Sequence, residues 1–260
     1  MSRIFLYLIQ IIAIIIFAEV LIFADDFRID NEITAGKIVV RSKTYFVNDD
    51  FFGLIEGNGE MTYYNAERDS FTLIAPLLRI QTQLSAAETR REVDAVLNQI
   101  RTSKKRMDPL QEFIANPVFK TEVAHKTGQI ALQSMWVDYK ITTEFFNDPN
   151  VAKKYFDFCN LTCYLNCRTT NSYRQLFRLE VNRILRNENC FPKNIAATFY
   201  PNGKLTNNNG DTINSSHKII KRLADEDKNQ INNIKNLMNT FKTVKFKDYQ
   251  KNITKQINGN

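Results

Sequence analysis

Behind the first 24 residues, apolar and polar side chains alternate in short runs closed by Gly, Asn or Asp, and this period of two constrains the fold more than any other feature. In a strand, successive side chains point to opposite faces. Residues 27–30, 37–41, 44–47, 51–56 and 61–64 therefore read as strands, with Asn58-Gly59 as a hairpin turn ahead of the last. Residues 70–84 continue the sheet, and Pro76 interrupts it, because proline removes a donor from the ladder and belongs at an edge or a bulge. The front third is expected to be an antiparallel meander.

The period then changes. Ser85 and Glu88 form a capping-box pattern ahead of Val93, Val96, Leu97 and Ile100, which share one face of a helix over 86–103. Asp108-Pro109 starts a short helix to Ala115, and Asp148-Pro149 starts a longer one to about Cys167, each with Asp as cap and Pro at the first turn. Residues 119–125 and 129–145 read as strands turning at Lys126-Thr127-Gly128. Ser172 opens another helix with Phe177, Val181, Ile184 and Leu185 as its stripe, 195–200 and 212–223 form a further strand pair, and Asp225 begins the last helix. The fold class expected is α+β: one curved antiparallel sheet of about seven to nine strands, half-barrel-like, packed against several helices. One domain spans 25–249, and 250–260 reads as a flexible tail.

Residues 1–24 read as an export segment. Met1-Ser2-Arg3 is a basic start, an almost uninterrupted apolar run follows, and small Ala18 or Ala24 offers a cleavage point. The alternative is an uncut anchor over 4–24, about the ~20 residues needed to cross a bilayer, although Glu19 would be costly at that depth. Both readings export the chain, to the periplasm or outside the cell, or leave it anchored there. The formal charge is +7, and removing Arg3 together with Glu19 leaves it unchanged. A modest excess on an exported chain suits an anionic envelope surface better than nucleic acid, which is not expected as a partner.

Residues capable of chemistry are sparse. Cys159, Cys163 and Cys167 lie four apart on a predicted helix, spanning roughly 12 Å at 1.5 Å per residue, so one tetrahedral ion cannot reach all three. Buried free thiols and disulfides remain as readings, with Cys167 and Cys190 the candidate pair. His125 and His217 are the only histidines, and neither sits in a recognisable catalytic or phosphate-binding motif. No catalytic residue, metal or cofactor is assigned. An enzyme would require one of these histidines to meet a hydroxyl or carboxylate in a cleft.

Aromatic pairs are the most suggestive feature: Tyr45-Phe46, Phe51-Phe52, Tyr63-Tyr64 and Tyr155-Phe156. Adjacent rings on a strand face opposite ways, so a second apolar face must either be covered by a helix layer or line a cavity. If a cavity exists, Phe46, Phe52, Tyr64 and Trp136 are the candidates to line it.

Segment 59–84, with Tyr63-Tyr64-Asn65 and Arg68-Asp69-Ser70-Phe71, resembles the central hairpin of an uncharacterised family of exported bacterial proteins common in planctomycetes. Asp26-Phe27-Arg28-Ile29-Asp30, Trp136-Val137-Asp138-Tyr139 and the stretch from His217 extend the resemblance over nearly the whole mature chain. Asn65 and Ala75 stand where that family carries Asp, and its pattern contains none of the cysteines. The resemblance implies export and no particular activity. By order of elements the chain is also similar to periplasmic lipoprotein-carrier folds, which implies a curved sheet around an apolar cavity. The expected function is a non-enzymatic envelope binding protein whose partner is a lipid, a lipoprotein or another envelope protein. The alternatives are a hydrolase with an unrecognisable site or a structural protein.

Overall fold

A computed structural model describes residues 26–57, 59–103, 108–170, 172–204 and 210–258; the expected export segment lies outside them. Among the described residues twelve strands are formed: β1 Phe27–Ala35, β2 Ile38–Val47, β3 Asp50–Ile55, β4 Met61–Asn65, β5 Ser70–Ala75, β6 Ile80–Ser85, β7 Lys120–Ala124, β8 Gln129–Gln133, β9 Val137–Phe145, β10 Cys190–Phe199, β11 Asp211–Lys221 and β12 Lys242–Thr243. The six helices among the described residues are α1 Ala86–Thr102, α2 Pro109–Ala115, α3 Pro149–Thr170, α4 Phe177–Asn187, α5 Asp225–Thr240 and α6 Phe246–Asn258.

The strands make one open sheet in the order β12-β6-β5-β4-β3-β2-β1-β11-β10-β9-β8-β7, antiparallel except for the short β6–β12 pair. Twelve strands replace the expected seven to nine, for local reasons. Pro76–Leu78 forms a 3-10 turn that Arg79 closes at φ +53°, dividing 70–84 into β5 and β6. The stretch 129–145 is cut by Ser134, whose hydroxyl accepts from the N–H groups of Trp136 and Val137 at 3.1 and 3.0 Å. Two expected runs instead fuse into β2. The two meanders, β1–β6 and β7–β11, join through nine residue pairs between β1 and β11, a seam between the two ends of the chain's sheet.

The expected caps are present. Ser85 Oγ accepts from Glu88 N–H at 3.1 Å, Asp108 from Leu110 N–H at 2.7 Å, and Asp148 from Asn150 N–H at 2.8 Å. Ser172 makes no such side-chain bond; a 3-10 turn, Tyr173–Leu176, leads into α4 instead. At Gly128 the hairpin needs φ +62°, and a Cβ there would meet Thr143 O at 2.7 Å, so this turn requires glycine. The expected tail is a correction as well: α6 runs to Asn258, buries Tyr249 in the main core and ties to α3 through Gln250, which donates to Thr169 O.

Each of the three aromatic pairs on strands divides across the sheet, while Tyr155-Phe156 lies on α3 with both rings in the main core. On the inner face, β1 to β5 align Phe27, Phe46, Phe51, Tyr64 and Phe71 in one cross-strand row, with Phe27 stacked on Phe46 at 4.2 Å and Phe51 on Tyr64 at 5.0 Å. Helices α1 to α4 and α6 contribute to that core. The outer face carries a second row, Tyr45, Phe52 and Tyr63, under Ile231 and Ile234 of α5. One helix, α5, thus covers the second face over β2 to β5. No described helix is long and apolar enough to cross a membrane.

Candidate functional site

One residue pair along from the inner aromatic row, the side chains shrink. Register places Ile29, Thr44, Gly53, Thr62 and Leu73 in the next row, and Ser42, Asn31 and His217 in the row after it on β2, β1 and β11. Small side chains opposite α3 and α4 leave space that ring-sized neighbours would have filled. The result is a cavity of about 610 Å³ between the inner face and these helices.

The lining draws on β4, β3, β2, β1, β11, β10 and β9. Laid flat, seven strands at about 4.8 Å spacing would extend over roughly 29 Å, so the sheet curves for all of them to reach one such space. Most of the wall is apolar, with Ile33, Leu54, Ile55, Phe199, Ile213 and Trp136 among its residues. Phe158 of α3 closes it on the ring side, standing edge-on to Phe46 at 5.4 Å and to Phe51 at 4.9 Å. A wider depression of about 810 Å³ lies mainly against the opposite face of β1 and β7 to β11. Its wall mixes polar and apolar surface, with Glu32, Thr34, Lys140 and Thr142 among its residues, and is less apolar than the first.

Of the four rings expected to line a cavity, Trp136 does so. Phe46 and Phe52 do not: the first is consumed by the inner core and the second lies under α5, both essentially without exposure. Tyr64 is likewise packed between Phe51 and Phe71, and its hydroxyl donates to Asp69 at 2.9 Å.

All four cysteines are free, and Cys167 and Cys190, the candidate pair for a disulfide, are not joined. Antiparallel α3 and α4 explain this. Arg186 of α4 reaches Asp157 of α3, and Phe146 N–H donates to Asn189 O, so Cys190 emerges beside the start of α3. Cys167 lies about 18 residues further along, roughly 27 Å at 1.5 Å per residue. Burial pushes the Cys167 thiol up to about 12, and the Cys190 thiol up as well. Cys159 and Cys163 face the cavity, and burial raises them to about 12 and 11. These are inert thiols. Among the described residues no group of His, Cys, Asp and Glu could hold a metal ion.

Besides Glu60 and Arg174, the wall carries a charged residue that apolar patterning hides. Arg178, in the first turn of α4, carries its guanidinium 5.7 Å from the centre of the Tyr139 ring and lines the space. Burial opposes its charge, and Tyr139, Tyr155, Cys159 and Cys163 around it act the other way. None supplies a countercharge near neutrality, because burial raises Tyr139 to about 12, Tyr155 well above its ordinary value, and both thiols as described. Among the described residues no carboxylate forms an ion pair with Arg178. His217 feels the same charge: burial first, then Arg178, brings it down from 6.5 to about 4, so it is neutral at pH 7. Its Nε2 lies 3.1 Å from Ser215 Oγ. Asn31 donates to Ser42 Oγ at 3.3 Å, while its own Oδ1 is buried with no donor. His125 lies on the surface, 3.8 Å from Glu188.

Sequence reasoning missed Arg178, Asn31 and the small-residue rows. The available signal was the i, i+4 pair Arg178/Asn182 flanking an apolar stripe, with Asn182 buried and bonded to Asn160 at 2.9 Å. Comparison with protein-family models gives no match, and a search of curated proteins gives none either.

Proposed function

We propose that this chain is a non-enzymatic binding protein of the cell envelope that holds a lipophilic ligand between the inner face of its sheet and α3/α4. The carrying observation is the cavity of about 610 Å³, within the ~300–1,000 Å³ typical of small-molecule sites, apolar over most of its wall. Each methylene moved from water into such a wall contributes about 0.8 kcal/mol, enough for useful affinity from a single hydrocarbon chain. The curved open sheet with helices inside it is half-barrel-like and resembles periplasmic carriers by architecture alone, which supports the reading without fixing the ligand. Export rests on residues 1–24 and on the likeness to exported planctomycete proteins.

Titration of the full chain with an apolar fluorophore tests this. One saturable site, displaced by long-chain alcohols and weakened by Gly53→Val, is expected. A Cβ at Gly53 meets only Thr62, at 3.8 Å or more, so there is room for the added bulk on the cavity side. Absence of saturable binding, or binding indifferent to Gly53→Val, would contradict the reading.

A hydrolase has one observation in its favour, the Ser215–His217 pair inside a cleft. An imidazole brought down to about 4 is a weak base, however, and Arg178 opposes the imidazolium that proton abstraction would create. Ester hydrolysis lost in Ser215→Ala would establish that reading.

A further inference from the structure

Polar side chains stand at several places in the cavity wall, and one row of them lies under a positive charge. Ser42, Asn31 and His217 form one row across β2, β1 and β11, all uncharged near neutrality. Arg178 projects from α4 into the same space, and the field at His217 shows that its charge reaches this row. The guanidinium lies over the Tyr139 ring and has no carboxylate partner among the described residues. Arg178 is half-buried, with the Tyr139 hydroxyl as a neutral partner, and a partly desolvated cation without a carboxylate is costly, so an anion supplied by a ligand would complete it. Asn31 Oδ1, buried without a donor, is a second incomplete group in the same wall. Apolar side chains make up most of the remaining wall, which also includes Glu60 and Arg174.

We propose that the ligand is a single-chain amphiphile with an anionic head, whose carboxylate or phosphate oxygens pair with Arg178 while its alkyl chain fills the apolar remainder. This rests on the cavity being a binding site, as argued above, and adds the chemistry of the head. A guanidinium presents its N–H groups as a fork that matches the two oxygens of a carboxylate or phosphate. Its charge persists at any pH the protein meets. Ser42, Asn31 and His217 are placed to hydrogen-bond a head that Arg178 holds.

Calorimetric titration of the full chain with palmitate, hexadecyl phosphate, hexadecanol, hexadecyltrimethylammonium and acetate separates the terms. The wild type is expected to bind palmitate and hexadecyl phosphate about tenfold or more tightly than hexadecanol, the size of one charge-assisted pair. Arg178→Gln should bring the anionic probes down to the hexadecanol level and leave hexadecanol itself unchanged, and Arg178→Lys should restore part of the preference. Equal affinity for palmitate and hexadecanol, tighter binding of hexadecyltrimethylammonium, or acetate competing as well as palmitate would each overturn the proposal while leaving the cavity's function standing. If none of the long-chain probes binds, the binding function itself fails. Should Arg178→Gln not fold, the wild-type series decides alone.

Discussion

His217 makes stability depend on pH in a direction fixed by its surroundings. Its folded value, about 4, lies below the ordinary 6.5, so between these values the unfolded chain binds a proton that the native state refuses. Native stability is therefore undiminished above about 6.5 and falls as pH drops toward 4, by on the order of 2 kcal/mol once the ring's partial exposure is allowed for. His217→Gln should remove that part of the loss. Urea midpoints of both proteins at pH 7 and pH 4.5 check this, and an unchanged difference between the two pH values in the variant would contradict it. The four thiols give a second expectation at the same scale: three buried, Cys159 half-buried, and all raised, they should react slowly with a disulfide reagent in the native protein, and all four should react after denaturation. Two reactive thiols in the unfolded, unreduced chain would reveal a bridge.

Among the elements, α5 is the strap that lets the sheet bury both faces. Its Asp227 pairs with Arg28 of β1 and also accepts from Ala224 N–H at 3.0 Å, while Asp30 takes a second edge of the same guanidinium at 2.6 and 3.0 Å. Asp227 has 5% of its side chain exposed and Arg28 18%, so removing the acid breaks a largely buried pair and uncaps α5, while Asp30 still holds the guanidinium. Asp227→Ala is expected to cost about 2 kcal/mol, read by chemical denaturation. A loss under about 1 kcal/mol would mean that α5 is held by Ile231 and Ile234 alone. Local signals made much of this level legible in the sequence: Ser85, Asp108 and Asp148 announce their helices because a cap acts within one turn, and Tyr45-Phe46 or Phe51-Phe52 announce two apolar faces because the pleat alternates. Which layer covers each face is a tertiary matter. Nothing local to Phe52 shows that α5, some 180 residues later, will lie over it, and Phe52 was accordingly expected at a cavity.

At the scale of the whole molecule, the cavity arises from register. Thr44, Gly53 and Thr62 are unremarkable in their own segments, and only the pairing of β2, β3 and β4 sets them side by side as a row of small residues. Likewise Asn31 meets His217 only because β1 pairs with β11 across the seam that joins the two meanders. The sequence announces strands, and their pairing decides where space is left. Arg178 escaped notice for the same reason, since one cation beside an apolar helical stripe ordinarily faces water. Filling the space should act on binding more than on stability: Gly53→Val replaces a strand glycine by a strong strand former, so its midpoint should hold or rise slightly while affinity for apolar probes falls by about tenfold. The most direct measurement is native mass spectrometry of the full chain purified from the cells that make it, before and after organic extraction. A single adduct at one per chain, removed by extraction and identified as an alkyl-chain compound, is the predicted result. A chain that carries nothing from those cells and takes up no alkyl probe when offered one would contradict the account.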